Sequence, residues 1–397
     1  MTEFIQLHML VSYPPSNLNR DDLGRPKTAM MGSSQRLRIS SQSLKRAWRT
    51  SEIFDKHLDF SEKSVRSRKI GVLIFKSLTT GTELIDLLNE NESKSKNKTI
   101  DEETARLVTS NLLHLYGNQE KPKPEERENN PLKEYETAQL CVLSKDEVYK
   151  LNECLIKVVE NDERLVALLK REYKKEKEIN KFKKELQKEF ELLSNAKTAV
   201  DIAMYGRMLT TYSFYNVEAA VQVSHAITVN EVAVEDDYFT AVDDLNNGEE
   251  DMGAAHIGEN EFASGLFYTY VCINRNLLKE NLGKDEELTK RALKALVESA
   301  TKVAPTGKQN SFASRAYATY LMVEKGTQQP RSLSVAFLEA VKDKNLLKKA
   351  IEALKDTREK IEKVYDTCST DKKEMNAYTG EGSLDEILSF VEKPLKA

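Results

Sequence analysis

RDDLGRPKTAMMGSSQRLRISSQSLKRAWRT, residues 20–50, holds the first helix of the chain and most of its concentrated positive charge. Eight of its residues are basic (Arg20, Arg25, Lys27, Arg36, Arg38, Lys45, Arg46, Arg49) and two, Asp21 and Asp22, are acidic. The stretch therefore carries a formal +6 on a chain whose net charge is −4. That is the distribution of a polyanion-binding surface on a protein whose overall charge does not announce one. RLRIS (36–40) alternates like a short strand, and a helix begins near Ser41. On that helix Lys45 and Arg49 stand one turn apart with Arg46 beside them, and Leu44, Ala47 and Trp48 supply the apolar side. Ser40, Ser41, Gln42 and Ser43 offer caps and neutral donors for phosphate oxygens. A lone KRxxR cluster reads as a solvated helix face; joined to further basic residues and a Ser/Gln cap, it reads as an anion-binding surface.

Before this stretch, FIQLHMLVSY (4–13) is apolar and β-prone and is expected to be a buried strand stopped by Pro14-Pro15. After it, residues 51–195 read as a polar helical block. GNQEKPKPEERENNPLKE (117–134) reads as a Pro- and Glu-rich loop, and the Lys/Glu mixture over 166–193 as a solvated helix or hairpin arm. Beyond Thr198 the pattern returns to β. In VEAAVQVSHAITV (217–229) strict alternation puts His225 among apolar neighbours as a packed or capped core histidine. FASGLFYTYVCIN (262–274) is a second strand, and the excursion between the two reads as a β-hairpin.

From Met208 to Asn274 there is no Lys or Arg but there are twelve Asp or Glu. Such a segment cannot track phosphates; it can dock on a basic protein surface, including a second copy, or insert an apolar tip between bases. Met208 and Ile257 are the candidate wedges, although by pattern alone both read as ordinary core residues. Residues 282–303 form an amphipathic helix, followed by a glycine loop carrying Lys308 and then a strand. The GxxxxGK[ST] spacing is absent, which excludes P-loop nucleotide hydrolysis. The tail reads as helices with a flexible DKKEMNAYTGEGS linker (371–383).

Strand, helix, strand, strand, helix, strand is the order of a ferredoxin-like or RRM-like βαββαβ unit, so the expected class is α+β. Residues 1–50 and 196–330 would form this unit, with a hairpin over about 233–263 and the helical block 51–195 inserted. A C-terminal helical segment, 331–397, would pack upon it. No RGFGFVxF motif is present, so a free-standing RRM reader is not expected. Four scattered cysteines, no Cys-x-x-Cys pair and no His at metal spacing argue for a reduced protein without metal or cofactor. The chain has no run of eighteen apolar residues and no signal-peptide pattern; a cytoplasmic, non-membrane protein is expected.

SNLNRDD (16–22), RLRISSQSLKRAWR (36–49), DIAMYGRM (201–208), SHAIT (224–228), YFTAVDDL (238–245), AHIGENEFASGLFYTY (255–270) and PTGKQNSFA (305–313) resemble the CasC backbone subunits of type I-E CRISPR Cascade. The resemblance covers the first fifty residues and about 198–275, with the glycine loop added. It implies a hand: an RRM-like palm, a helical finger domain and a thumb hairpin, with copies stacked head to tail along one CRISPR RNA. It implies that Arg20, Lys27, Ser40, Gln42, Lys45, Arg46, Arg49 and Lys308 hold the RNA backbone. Met208 and Ile257 would then meet a flipped-out nucleotide and interrupt the guide–target duplex. The implied partners are CRISPR RNA, target DNA paired through the guide, further copies, and the 5′-handle cap, repeat endonuclease, small and large subunits. An endoribonuclease with Asp21 or Asp22 as catalytic acid is the alternative, because related RNA-targeting backbones use an acidic residue to cut; a structural role for both is the expectation. A scaffold docking an acidic protein is the third reading.

Overall fold

The computed structural model describes residues 1–89, 97–117, 119–173, 175–195, 197–209, 212–241 and 256–395. They divide into two compact units: Met1–Leu58, Val221–Leu277 and Glu286–Ala397 in the first, Asp59–Ala220 and Leu278–Asp285 in the second. The protein is α+β with an antiparallel sheet. Among the described residues no helix is long and apolar enough to cross a membrane.

The first unit is built on β1 (Phe4–Ser16), β2 (Thr28–Met31), β3 (Ser34–Ile39), β4 (Val221–Val223), β5 (Ala226–Thr228), β6 (Glu235–Ala241), β7 (His256–Asn274), β8 (Ala318–Gly326) and β9 (Asp371–Asn376). They hydrogen-bond in the order β9-β8-β1-β7-β5-β3-β2, and β4 and β6 also pair with β7. Its longer helices are α1 (Ser41–Arg49), α2 (Glu286–Lys302), α3 (Leu346–Tyr365) and α4 (Leu384–Glu392). β1 is central and buried on both faces, which is why its sequence is a continuous apolar run and not an alternating one. Leu10, Tyr268, Tyr320 and Met322 of the sheet share a core with Ile351 and Leu354 of α3. α2 packs with α1, α4 and β8.

Three expectations change here. β1 does not stop at Pro14-Pro15. It continues to Ser16 through a register irregularity between Tyr13 and Ser16, and the prolines, which have no N–H to give a ladder, occupy that irregularity. The run 217–229 is not one strand. Val223 pairs with Val271 and Ile227 with Tyr268, so four residues advance on one side against three on the other. That extra residue reverses the faces, and His225 comes out exposed instead of buried. Finally, DKKEMN in the expected tail linker is β9, pairing with β8 from Tyr320↔Asn376 to Lys325↔Asp371.

A buried ionic cluster lies within this unit. Glu324 on β8 is fully buried and accepts from Arg358 Nε (2.5 Å), Ser369 Oγ (3.1 Å) and Arg331. His8 Nε2 lies 3.2 Å from it, and His8 Nδ1 lies 2.9 Å from Tyr268 Oη. Burial alone would raise the Glu324 carboxyl, but hydrogen bonds from His8 and Arg331 outweigh it and hold the group far below the usual range. Burial keeps His8 below its ordinary value despite the carboxylate beside it.

The second unit is mainly helical around a large apolar cluster that includes Ile74, Val108, Leu112, Leu151 and Leu155, all buried. It also holds a two-stranded sheet, Ser64–Ser67 with Cys141–Ser144, which the helical reading missed because four-residue strands carry too little periodicity. The Lys/Glu arm is not a fully solvated helix. Glu176–Phe190 buries Phe182 and Leu186, and Ile179 and Phe190 extend the same apolar spacing half-buried. The 117–134 stretch contains the helix Pro124–Asn129, and Tyr135 just beyond it stacks on Phe75 at 5.0 Å between ring centroids.

Candidate nucleic-acid interface

The loop between β1 and β2 is shaped by two asparagines. Asn17, fully buried, donates from Nδ2 to Gly24 O and Glu261 O, each at 2.9 Å. Asn19 Oδ1 accepts the Ser40 N–H at 2.9 Å, joining the loop to the start of α1. Ser40 in turn caps α1, its Oγ accepting from Ser43 N–H at 3.3 Å, while Leu44 and Trp48 are buried beneath the helix. Across from this loop, Gly307 approaches so closely that a Cβ there would sit 2.2 Å from Leu18 O. Only glycine permits that backbone contact.

These contacts enclose a cleft of about 1250 Å3 within the first unit. Its cations are Arg20, Arg46, Lys302 and Arg315; its carboxylates are Asp21 and Glu52; Tyr317 is its exposed aromatic. Lys302 is held by Glu298 at 2.7 Å. Asp21 is committed to its own loop, Oδ1 accepting from Leu23 N–H (3.0 Å) and Arg25 N–H (2.9 Å). Asp22 is exposed. Among the described residues no cluster of three metal-ligating side chains exists, and all four cysteines are buried free thiols.

Of the residues singled out by sequence, the structure brings Arg20 and Arg46 into this cleft. Ser43, Arg46, Ala47 and Thr50 form the face of α1 that lines it. Lys45 and Arg49, half-buried and one turn apart, belong to another face of the helix. Gln42 is exposed at its first turn. Lys27 is half-buried near Arg38 and His225. There the exposed imidazole accepts the Ser41 N–H at 3.0 Å, and partial desolvation, Arg38 and Lys27 lower it below its ordinary value. Arg36, counted among the surface cations, is fully buried instead, donating to Thr228 O (3.0 Å) and Phe337 O (3.1 Å). Lys308 sits at φ 44° and donates from Nζ to Asn260 Oδ1 on β7. It braces the hairpin base.

The two wedge candidates lie in different units. Met208 is 79% exposed in the second unit, next to Arg207, whose buried guanidinium pairs with Glu147 at 2.8 Å and fixes that end of the loop. Ile257 lies on β7 opposite Thr240; its side chain is outside the described residues. The hairpin of β6 and the first half of β7 carries Glu235, Asp236, Asp237, Glu259 and Glu261, and 242–255 at its end lie outside the described residues.

Sequence reasoning missed Arg315 and Tyr317. Their signal is a short alternation after the glycine loop, exposed Arg315 and Tyr317 set between buried Ser314 and Ala318.

Residues 5–389 match the model of the CT1975-like protein family. The chain belongs to this family. As a CT1975-like protein it is similar, at 25% identity with a TM-score of 0.75, to a chain of a solved "CRISPR RNA-guided surveillance complex, pre-nicking". That alignment covers 98% of this chain and 99% of the other. A chain of a second "CRISPR RNA-guided surveillance complex" shares the fold at 21% identity and a TM-score of 0.64, over 98% and 99% of the two chains. No curated protein sequence matches the chain.

Proposed function

We propose that this CT1975-like chain is a non-catalytic, CRISPR RNA-binding backbone subunit of a type I-E Cascade surveillance complex. Copies assemble head to tail along the guide and present its spacer to target DNA. The observation that carries the reading is the cleft holding Arg20, Arg46, Lys302 and Arg315 in one unit of a fold shared with subunits of CRISPR surveillance complexes. The order β8-β1-β7-β5 with α1 and α2 in the connections supports an RRM-like palm, because it is the four-one-three-two arrangement of a βαββαβ unit.

Phosphates give affinity without sequence preference, as a backbone that accepts any spacer requires, and choice of target is left to base pairing. A basic cleft on one surface and an acidic hairpin on another favour a heterologous contact, which propagates instead of closing. RNA length then sets the copy number. The 5′-handle cap, repeat endonuclease, small and large subunits complete the assembly. The Asp21 carboxylate, engaged by two N–H groups of its own loop, supports the non-catalytic part of the proposal.

Co-expression with a CRISPR array is the test. RNA that co-purifies, raises A260/A280 and lies along a regular row of copies in electron micrographs is the expected result; nucleic-acid-free monomers overturn the proposal. Incubation with complementary RNA and a divalent metal should leave that RNA whole. Cuts that vanish in Asp21→Ala or Asp22→Ala would move the assignment to an endoribonuclease. Replacing Met208 and Ile257 by Gly should keep bulk RNA affinity and abolish the regular pattern of exposed nucleotides; an unchanged probing pattern removes the wedge role.

A further inference from the structure

The cleft contains one exposed aromatic ring, a group that pairing of cations with phosphates does not use. Tyr317 is 66% exposed, in the segment that leads into β8. A large aromatic left that open in a cationic cleft is not there to fill a core. Its backbone is secured on both sides: Ser314 and Ala318 are buried, and the Arg315 N–H donates to Ala313 O at 2.9 Å in a tight turn. Arg315 and Tyr317, two residues apart, therefore present a guanidinium and a ring to the same cleft. At about 1250 Å3 the cleft also exceeds the roughly 300–1,000 Å3 of a small-molecule pocket, which suits a stretch of polymer.

We infer that Tyr317 is a stacking platform for one nucleobase of the single strand whose phosphates Arg315, Arg46 and Arg20 hold. The inference rests on the RNA-binding reading above and adds a base contact to it. Stacking suits a protein that accepts any guide, because every base presents a π-face and none is read by hydrogen bonding. Polynucleotides, which place a base beside each phosphate, match a paired cation and ring; a docked acidic protein segment would use the cations and leave the ring idle.

The test uses the full chain, a short single-stranded oligoadenylate, and the same backbone carrying abasic sites, at fixed salt. For oligoadenylate, Tyr317→Ala should weaken binding about 5- to 100-fold, as expected when one base–aromatic stack is removed. Tyr317→Phe should bind nearly as the parent does, and the slope of affinity against salt should stay unchanged in both variants. On abasic RNA the parent and Tyr317→Ala should bind alike, because the partner of the ring is gone; circular dichroism melting confirms that both are folded. Equal affinity of Tyr317→Ala and the parent for oligoadenylate overturns the stacking role while leaving RNA binding intact. So does an equal weakening on both RNAs, which would make Tyr317 a backbone contact. Failure of the parent to bind either RNA overturns the RNA-binding reading and the stacking role together.

Discussion

Arg25 Nε lies 2.9 Å from Glu261 Oε1, joining the basic loop after β1 to the acidic hairpin. The ladder places Glu261 directly opposite Asp236, and like charges at paired positions repel. Arg25 offsets that repulsion from outside the hairpin, and Asn17 bonds the Glu261 carbonyl from the same loop. The segment that supplies cations to the cleft thus also fixes the hairpin base.

Arg25 is 61% exposed and Glu261 19%, so the pair contributes only about 0–1 kcal/mol. Arg25→Ala should barely move the melting temperature. It should nonetheless speed amide exchange in 235–241 and 257–262, and the swap Arg25→Glu with Glu261→Arg should restore the protection. Unchanged exchange in the single variant counts against a bracing role.

Gly307→Ala should open the cleft. A methyl group 2.2 Å from Leu18 O cannot be accommodated without shifting one of two backbone segments, which costs about 1–3 kcal/mol. Denaturant titration should show a lower midpoint with an unchanged slope, and RNA affinity should fall with it. Wild-type values for both would mean that the loop yields freely.

Arg20→Ala with Arg46→Ala should reduce the log–log salt slope of RNA binding by about 1.4, roughly 0.7 for each single-strand phosphate that is no longer neutralised. Affinity should fall equally for unrelated sequences. If instead Lys45→Ala with Arg49→Ala takes the whole reduction, the strand follows the neighbouring face of α1 and not the cleft.

Glu324→Gln leaves two half-buried guanidinium groups short of their fully buried carboxylate and should destabilise the fold by about 3 kcal/mol, read by urea unfolding. The pH dependence separates the partners. Because the folded Glu324 carboxyl is held far below 4.5, its contribution is present above that value and is lost only in strong acid. His8 is lowered from 6.5, so the unfolded chain takes its proton first; stability present above 6.5 is lost as the pH falls from there toward the folded value. His8→Gln should flatten stability against pH in that mildly acidic window. The flattening should be partial, since His114 and His225 are lowered in the same sense. An unaltered curve would show that His8 does not titrate on unfolding.

The order of strands and helices in the first unit was legible because its long elements are strongly patterned: β1 and the second half of β7 are apolar runs, and α2 is amphipathic. The Ser40 cap was legible for a local reason, a hydroxyl three residues ahead of the N–H it accepts. β9 was not. DKKEMN is charged and half-exposed, and only the free edge of β8 makes it a strand.

Sequence alone determined the separation of charge, because composition along the chain is independent of folding: +6 over residues 20–50, and no cation from 208 to 274. Tertiary structure decided which of those charges act together. Arg36 went to the interior, Lys308 to Asn260, and Arg315 and Tyr317 joined Arg20 and Arg46 from the far end of the unit's sequence. The reason is geometric: a side chain's direction follows strand register and helix phase, and one additional residue between β4 and β5 was enough to turn His225 from an expected core position to the surface.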